Sequence, residues 1–213
     1  MTSLELMTEE VQVWVASLAV SDERYNQLAA SLPVDENDYA GSLHPIAARR
    51  YVVARGILRN LLSGFTGTEP RKLRFNYGAA GKPSLSQHDD IHFNISHSAD
   101  LGLFAFSPDR PVGVDVENER PVRRLLDVAQ RFMTEDELRT LAETPAEKRN
   151  SAFLRSWVVR EARLKAEGKG VWSGNPDNTS KLTHRLFSPR PNYIAAVAAA
   201  DNDWRLYMCA MKD

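Results

Sequence analysis

The chain has 213 residues, 43% hydrophobic and 26% charged, with 27 Lys and Arg against 28 Asp and Glu and a net charge of −1. That length supports one large unit or two small halves around a real core. The balanced charge argues against a non-specific nucleic-acid binder, which needs a basic excess to neutralise phosphates. The single cysteine, Cys209, excludes an internal disulfide and a cysteine-built metal cage, and fits a reducing cytoplasm.

MTSLELMTEE at the N-terminus is acidic and lacks the basic start and apolar run of a secretion signal. VQVWVASLAV (Val11–Val20) reads as an early strand and DERYNQLAASL as a helix. HPIAARRYVVARGILRNLL (His44–Leu62) is the clearest amphipathic helix of the first half. Ile46, Val53, Ile57, Leu58, Leu61 and Leu62 recur at helical spacing there, and Pro45 suits a first turn. Arg49, Arg50, Arg55 and Arg59 on this helix are candidates for ligand contacts, with a solvated face as the ordinary alternative. KLRFNY, IHFNIS and LGLFAFS read as strands, the last two joined by the hairpin-length link HSAD. PVGVDVE is a further strand. TEDEL (Thr134–Leu138) has capping-box spacing, and EKRNSAFLRSWVVREARLKAEG reads as one long helix ending at Gly168. KLTHRLF, YIAAVAA and WRLYMCAM complete the chain as strands, and YIAAVAAA, the longest apolar run, is too short to span a bilayer. Strands and helices mix without regular alternation, which favours α+β. SPDRP (Ser107–Pro111) divides the chain into halves at 1–108 and 109–213.

Four stretches could carry chemistry, and each has an ordinary structural explanation beside the functional one. In GVDVE, Asp115 and Glu117 lie two apart on one strand face, about 7 Å from each other. They are either a solvated face or ligands for Mg²⁺, which takes one or two carboxylates and completes its shell with water and phosphate oxygens. Gly113, just upstream, lets backbone or ligand approach. In WVVREARLKAEGKG, Glu161 and Lys165 are spaced i, i+4. They form either a surface ion pair or a third acid with a phosphate-neutralising cation. In FNISHS, Ser96 and His97 point to opposite strand faces, which excludes a Ser-His nucleophile pair and suits ligand contacts or a polar link. GAAGKP, with Lys82, lacks P-loop spacing.

The order and spacing of GKP, FNISHS, GVDVE and WVVREARLKAEGKG, with AQRFMTEDEL between the last two, resemble the Sfp-like 4'-phosphopantetheinyl transferases of the holo-acyl-carrier-protein synthase superfamily. The likeness runs from about Arg50 to Trp172. It implies a pseudo-two-fold α+β monomer of two similar halves with coenzyme A in the cleft between them. It also implies the reaction, Mg²⁺-dependent transfer of 4'-phosphopantetheine from coenzyme A to a serine of an apo acyl or peptidyl carrier protein, releasing adenosine 3',5'-bisphosphate. By resemblance Asp115, Glu117 and Glu161 match the metal-binding acids, with Mn²⁺ as an alternative ion. Lys165 matches the lysine on the pyrophosphate. Arg50, Lys82, Ser96 and His97 match positions contacting the nucleotide and its 3'-phosphate. Glu161 is the candidate base for the carrier serine. Neither membrane nor nucleic acid enters this reading. Two departures stand out: residue 160 is Arg where the family usually has Lys, and the segment before the first long helix is acidic where some members carry lysines. Phosphate recognition is therefore expected to rest on Arg50, with Arg49 as its rival, and His97.

Overall fold

The structure is a computed structural model that describes residues 4–170 and 181–211; Trp172, where the family resemblance ends, lies outside them. The chain runs β1 (Glu10–Ser17), α1 (Asp22–Ala29), α2 (Val34–Gly41), α3 (Pro45–Thr66), a 3-10 turn, β2 (Phe75–Tyr77), β3 (Pro83–Leu85), β4 (His92–Ser98), β5 (Leu101–Ser107) and β6 (Val112–Asn118). Then follow α4 (Leu125–Ala129), α5 (Glu135–Glu143), α6 (Ala146–Ala166), β7 (Leu182–Phe187), β8 (Tyr193–Ala200) and β9 (Arg205–Ala210). Local signals set several of these boundaries. Pro45 opens α3 and Gly67, at φ 68°, closes it. Thr134 and Glu137 bond reciprocally as a capping box on α5. Gly168, at φ 69°, follows α6 in the left-handed conformation that ends a helix cheaply only for glycine.

Strands order as β4-β5-β1-β9 in one sheet, β6-β8-β7 in a second and β2-β3 in a hairpin. All neighbours are antiparallel except β1 and β9. The two larger sheets face each other, with one long helix on the outer side of each. Alternation along the strands explains this layering. On β5, Leu101, Leu103 and Ala105 join Val114, Val116 and Val197 between the sheets, while Phe104 and Phe106 face Ile57, Leu58 and Leu61 of α3. On β8, Ala195, Val197 and Ala199 point inward, and Ile194, Ala196 and Ala198 meet Val158 and Ala162 of α6. Strands buried on both faces need no polar side, so β5 is buried throughout.

Several features depart from the sequence reading. The acidic segment before α3 contains a helix, α2, whose Glu36 is buried against Arg55 and Arg59 of α3. Those two arginines are 6% and 3% exposed, not a solvated face. Both guanidinium groups lie over the Phe75 ring, at 4.4 and 4.9 Å, and Arg55 also donates to the Tyr77 hydroxyl at 3.1 Å. Ile46, read as part of the apolar stripe, is 62% exposed. KLRFNY yields only the three-residue β2, paired with a β3 that is too short to show periodicity. The last strand, β9, returns to pair with β1, so the end of the chain belongs to the first sheet. Among the described residues no helix is long and apolar enough to cross a membrane.

Candidate active site

β4 is an edge of the first sheet and β6 an edge of the second. They meet in parallel through side chains. Asn94 Oδ1 accepts from Val114 N at 2.9 Å, Ser96 Oγ donates to Asp115 Oδ1 at 2.9 Å, and Ser98 Oγ donates to Glu117 Oε2 at 3.0 Å. The period-two spacing of Asn94, Ser96 and Ser98 presents their polar atoms in turn to Val114, Asp115 and Glu117. Val114 and Val116 point the other way, into the core between the sheets.

The face of β6 that carries Asp115 and Glu117 also carries Gly113, and α6 packs against it. A Cβ on Gly113 would stand 2.0 Å from Ala162 O and 2.3 Å from Ala166 N. The space left by this glycine is thus filled by helix backbone and not by a ligand, and the close approach brings Glu161 and Lys165 alongside the strand acids. Lys165 Nζ lies 2.6 Å from Asp115 Oδ1 and 3.2 Å from Ser96 Oγ. It therefore pairs across to β6 and not along its own helix to Glu161, as the i, i+4 spacing alone suggested.

Asp115 and Glu161 are each 5% exposed. Asp115 Oδ2 and Glu161 Oε1 are buried without a hydrogen-bond partner. Leaving such atoms unpaired is costly. Burial raises the Glu161 carboxyl above its ordinary value, and the Asp115 charge raises it further against the opposing effect of Lys165. Burial likewise raises Glu117, opposed by the Ser98 bond and reinforced by Asp115. Three mutually repelling acids with unpartnered oxygens fit a hard cation, which takes oxygen ligands. Among the described residues, however, no three His, Cys, Asp or Glu side chains stand as a finished metal cage.

On the other face of β4, Ile95 and His97 border a cavity of about 490 Å³. Arg50, Tyr51, Ala54 and Arg55 of α3 form its second wall, and Tyr77, Gly81 and Pro83 of the β2-β3 hairpin its third. Arg50 is held at the rim by Asp100, 3.1 Å away. Burial lowers the His97 imidazole below its ordinary 6.5 against the raising effect of a backbone hydrogen bond, and the charges of Lys165 and Arg50 push it down as well. Lys82 follows the hairpin turn. Its Nζ donates to Val112 O at 3.0 Å and Ala166 O at 3.1 Å, tying the hairpin to β6 and to the C-terminus of α6. Burial brings its ammonium down to about 8.

The structure thus collects Asp115, Glu117, Glu161, Lys165 and Ser96 in one cluster, sets Arg50 and His97 on the neighbouring cavity, and places Lys82 against backbone carbonyls. Sequence reasoning missed Asn94 and Ser98, whose signal was their spacing with Ser96. It also missed Tyr77 and the cleft-lining role of Arg55, which carry no local signal. Glu137 is committed to its capping box with Thr134.

Acids and a lysine beside a cavity rimmed by cations suit a substrate rich in phosphate. The 4'-phosphopantetheinyl transferase superfamily model matches residues 111–208, from the start of β6 into β9. The chain is 35% identical to the 4'-phosphopantetheinyl transferase HetI of Nostoc sp. over 95% of its length and 93% of that relative. It is 30% identical to psf-1 of Bacillus pumilus over 78% of the chain and 73% of the relative. For Sfp of Bacillus subtilis the identity is 28%, over 76% of the chain and 78% of the relative. The chain belongs to the 4'-phosphopantetheinyl transferase superfamily and is an enzyme of that class.

Proposed function

We propose that this chain moves the 4'-phosphopantetheine of coenzyme A onto a serine of an apo acyl or peptidyl carrier protein, with Mg²⁺ as the metal and Mn²⁺ as a substitute. The observation that carries the reading is the buried pair Asp115 and Glu161, each keeping an unpartnered oxygen beside Lys165. Asp115, Glu117 and Glu161 would hold the ion between the halves 1–108 and 109–213. The bound ion supplies neutralisation of charge on the pyrophosphate oxygens. Lys165 contributes a second positive charge at the same phosphates. Arg50 and His97 face the cavity that takes the nucleotide end, and a phosphate there would oppose the burial that lowers the His97 imidazole. Lys82 and Ser96 complete the contacts.

The carrier serine oxygen forms a bond to the phosphorus that bears the pantetheine arm, and the bond from that phosphorus to the departing adenosine 3',5'-bisphosphate breaks. Glu161, whose carboxyl is raised above its ordinary value by burial, takes the serine proton. Holding the ion and accepting the proton compete for this one carboxylate. Glu161→Gln separates them: Mn²⁺ binding kept with transfer lost assigns the proton, and loss of both assigns the ion. Arg120, Arg123 and Arg124, exposed just beyond the β6 acids, offer a basic surface to the acidic helix of a carrier, although Arg124 also pairs with Asp127. The single cysteine suits a reducing cytoplasm, and the family resemblance implies a monomer.

Intact mass of apo acyl and peptidyl carriers, after incubation with the chain, coenzyme A and Mg²⁺, tests the proposal. The expected result is a phosphopantetheine adduct that Asp115→Ala abolishes in a folded protein. No adduct on either carrier class sinks the proposal. Tight coenzyme A binding without turnover would instead mark a binding module.

A further inference from the structure

Ser98 has no part in the reaction as described, yet its hydroxyl both donates and accepts. The residue is 7% exposed. Its Oγ accepts from Asn118 N at 3.1 Å and donates to Glu117 Oε2 at 3.0 Å. A hydroxyl has one proton and two lone pairs. With the Asn118 amide on a lone pair, the proton is directed at Glu117. That amide belongs to the residue after Glu117, so the same oxygen grips the strand and the carboxylate together. No hydrogen bond to a side chain other than Ser98 holds Glu117, whose Oε1 has no partner among the described residues. The backbone ladder of β6 runs to β8 on its other side, so across the β4 edge Ser98 alone fixes this side chain.

We infer that Ser98 is a positioning residue that occupies one oxygen of Glu117 and turns the other toward the site shared with Asp115 and Glu161. The inference rests on the metal reading above and extends it to a residue that touches neither ion nor substrate. Partners that orient a ligating carboxylate affect metal affinity about 10–100-fold when removed.

Calorimetry with Mn²⁺ as the probe, on the full chain without carrier, tests it independently of turnover. Ser98→Ala, and Ser98→Cys as a variant that keeps the volume with a weak donor, are expected to weaken Mn²⁺ binding about ten-fold. In transfer assays the Mn²⁺ concentration for half-activation rises by the same factor, while kcat at saturating Mn²⁺ stays within about two-fold of wild type, a split that a merely structural lesion does not produce. Mn²⁺ affinity within about two-fold of wild type in either folded variant overturns the assignment, as does a fall in kcat that saturating Mn²⁺ leaves unrepaired. A wild-type chain that binds no Mn²⁺ overturns the metal reading itself and Ser98's role with it, and is told apart by needing no variant.

Discussion

Gly113→Ala is the sharpest test of how α6 delivers its side chains to β6. The added Cβ would lie 2.0 Å from Ala162 O, 2.3 Å from Ala166 N and 2.9 Å from Lys165 C, all backbone atoms that cannot rotate away. Ordinary contact begins at 3.4 Å, so the helix and strand must separate by about 1.4 Å at this point. Lys165 Nζ, now 2.6 Å from Asp115 Oδ1, would move to about 4 Å, beyond hydrogen-bond reach. Misplacement of about 1 Å at a reacting centre costs on the order of 100-fold in rate, and overpacking a core costs about 1–3 kcal/mol. The variant should therefore fold, melt lower, and transfer phosphopantetheine on the order of 100 times more slowly. Carrier mass against time gives the rate, and urea denaturation gives the stability. Wild-type values of both would show that α6 does not touch β6 at Gly113, and the account of how Glu161 and Lys165 reach the strand acids would fall.

Three further outcomes follow from the same structure. Glu36→Ala leaves the buried Arg55 and Arg59 without their carboxylate, and breaking such a pair costs about 3–5 kcal/mol; a loss below about 1 kcal/mol in urea denaturation would contradict the burial of this triad. Arg50→Ala should raise the KM for coenzyme A about ten-fold with little change in kcat, and should cost nothing with a donor lacking the 3'-phosphate. An unchanged KM would shift the assignment to Arg49, which now pairs with Asp22 at 2.9 Å. Lys82 titrates near 8 in the fold against an ordinary 10.5. The unfolded chain therefore holds more protons between those values, and stability rises with pH across that window. Melting of wild type against Lys82→Met from pH 7.5 to 10.5 should show the wild type gaining on the variant; a pH-independent difference would refute a buried ammonium.

What the sequence determined by itself was local. Period-two alternation put Asp115 and Glu117 on one side of a strand, 3.6-residue periodicity aligned Glu161 with Lys165, and Thr134, Pro45 and Gly168 marked helix ends, because backbone geometry fixes which residues share a face. What each face meets is a non-local matter. Only the packing of α6 on Gly113 turned an apparent surface ion pair into a lysine held by a strand acid, and left Glu161 buried with an unpartnered oxygen. Likewise Arg55 and Arg59 looked solvated until Glu36, in a helix with no periodic signal of its own, arrived to neutralise one of them. Ser98 reads as hairpin polarity until two sheet edges, brought together by the apolar faces of β5 and β8, point its hydroxyl at Glu117.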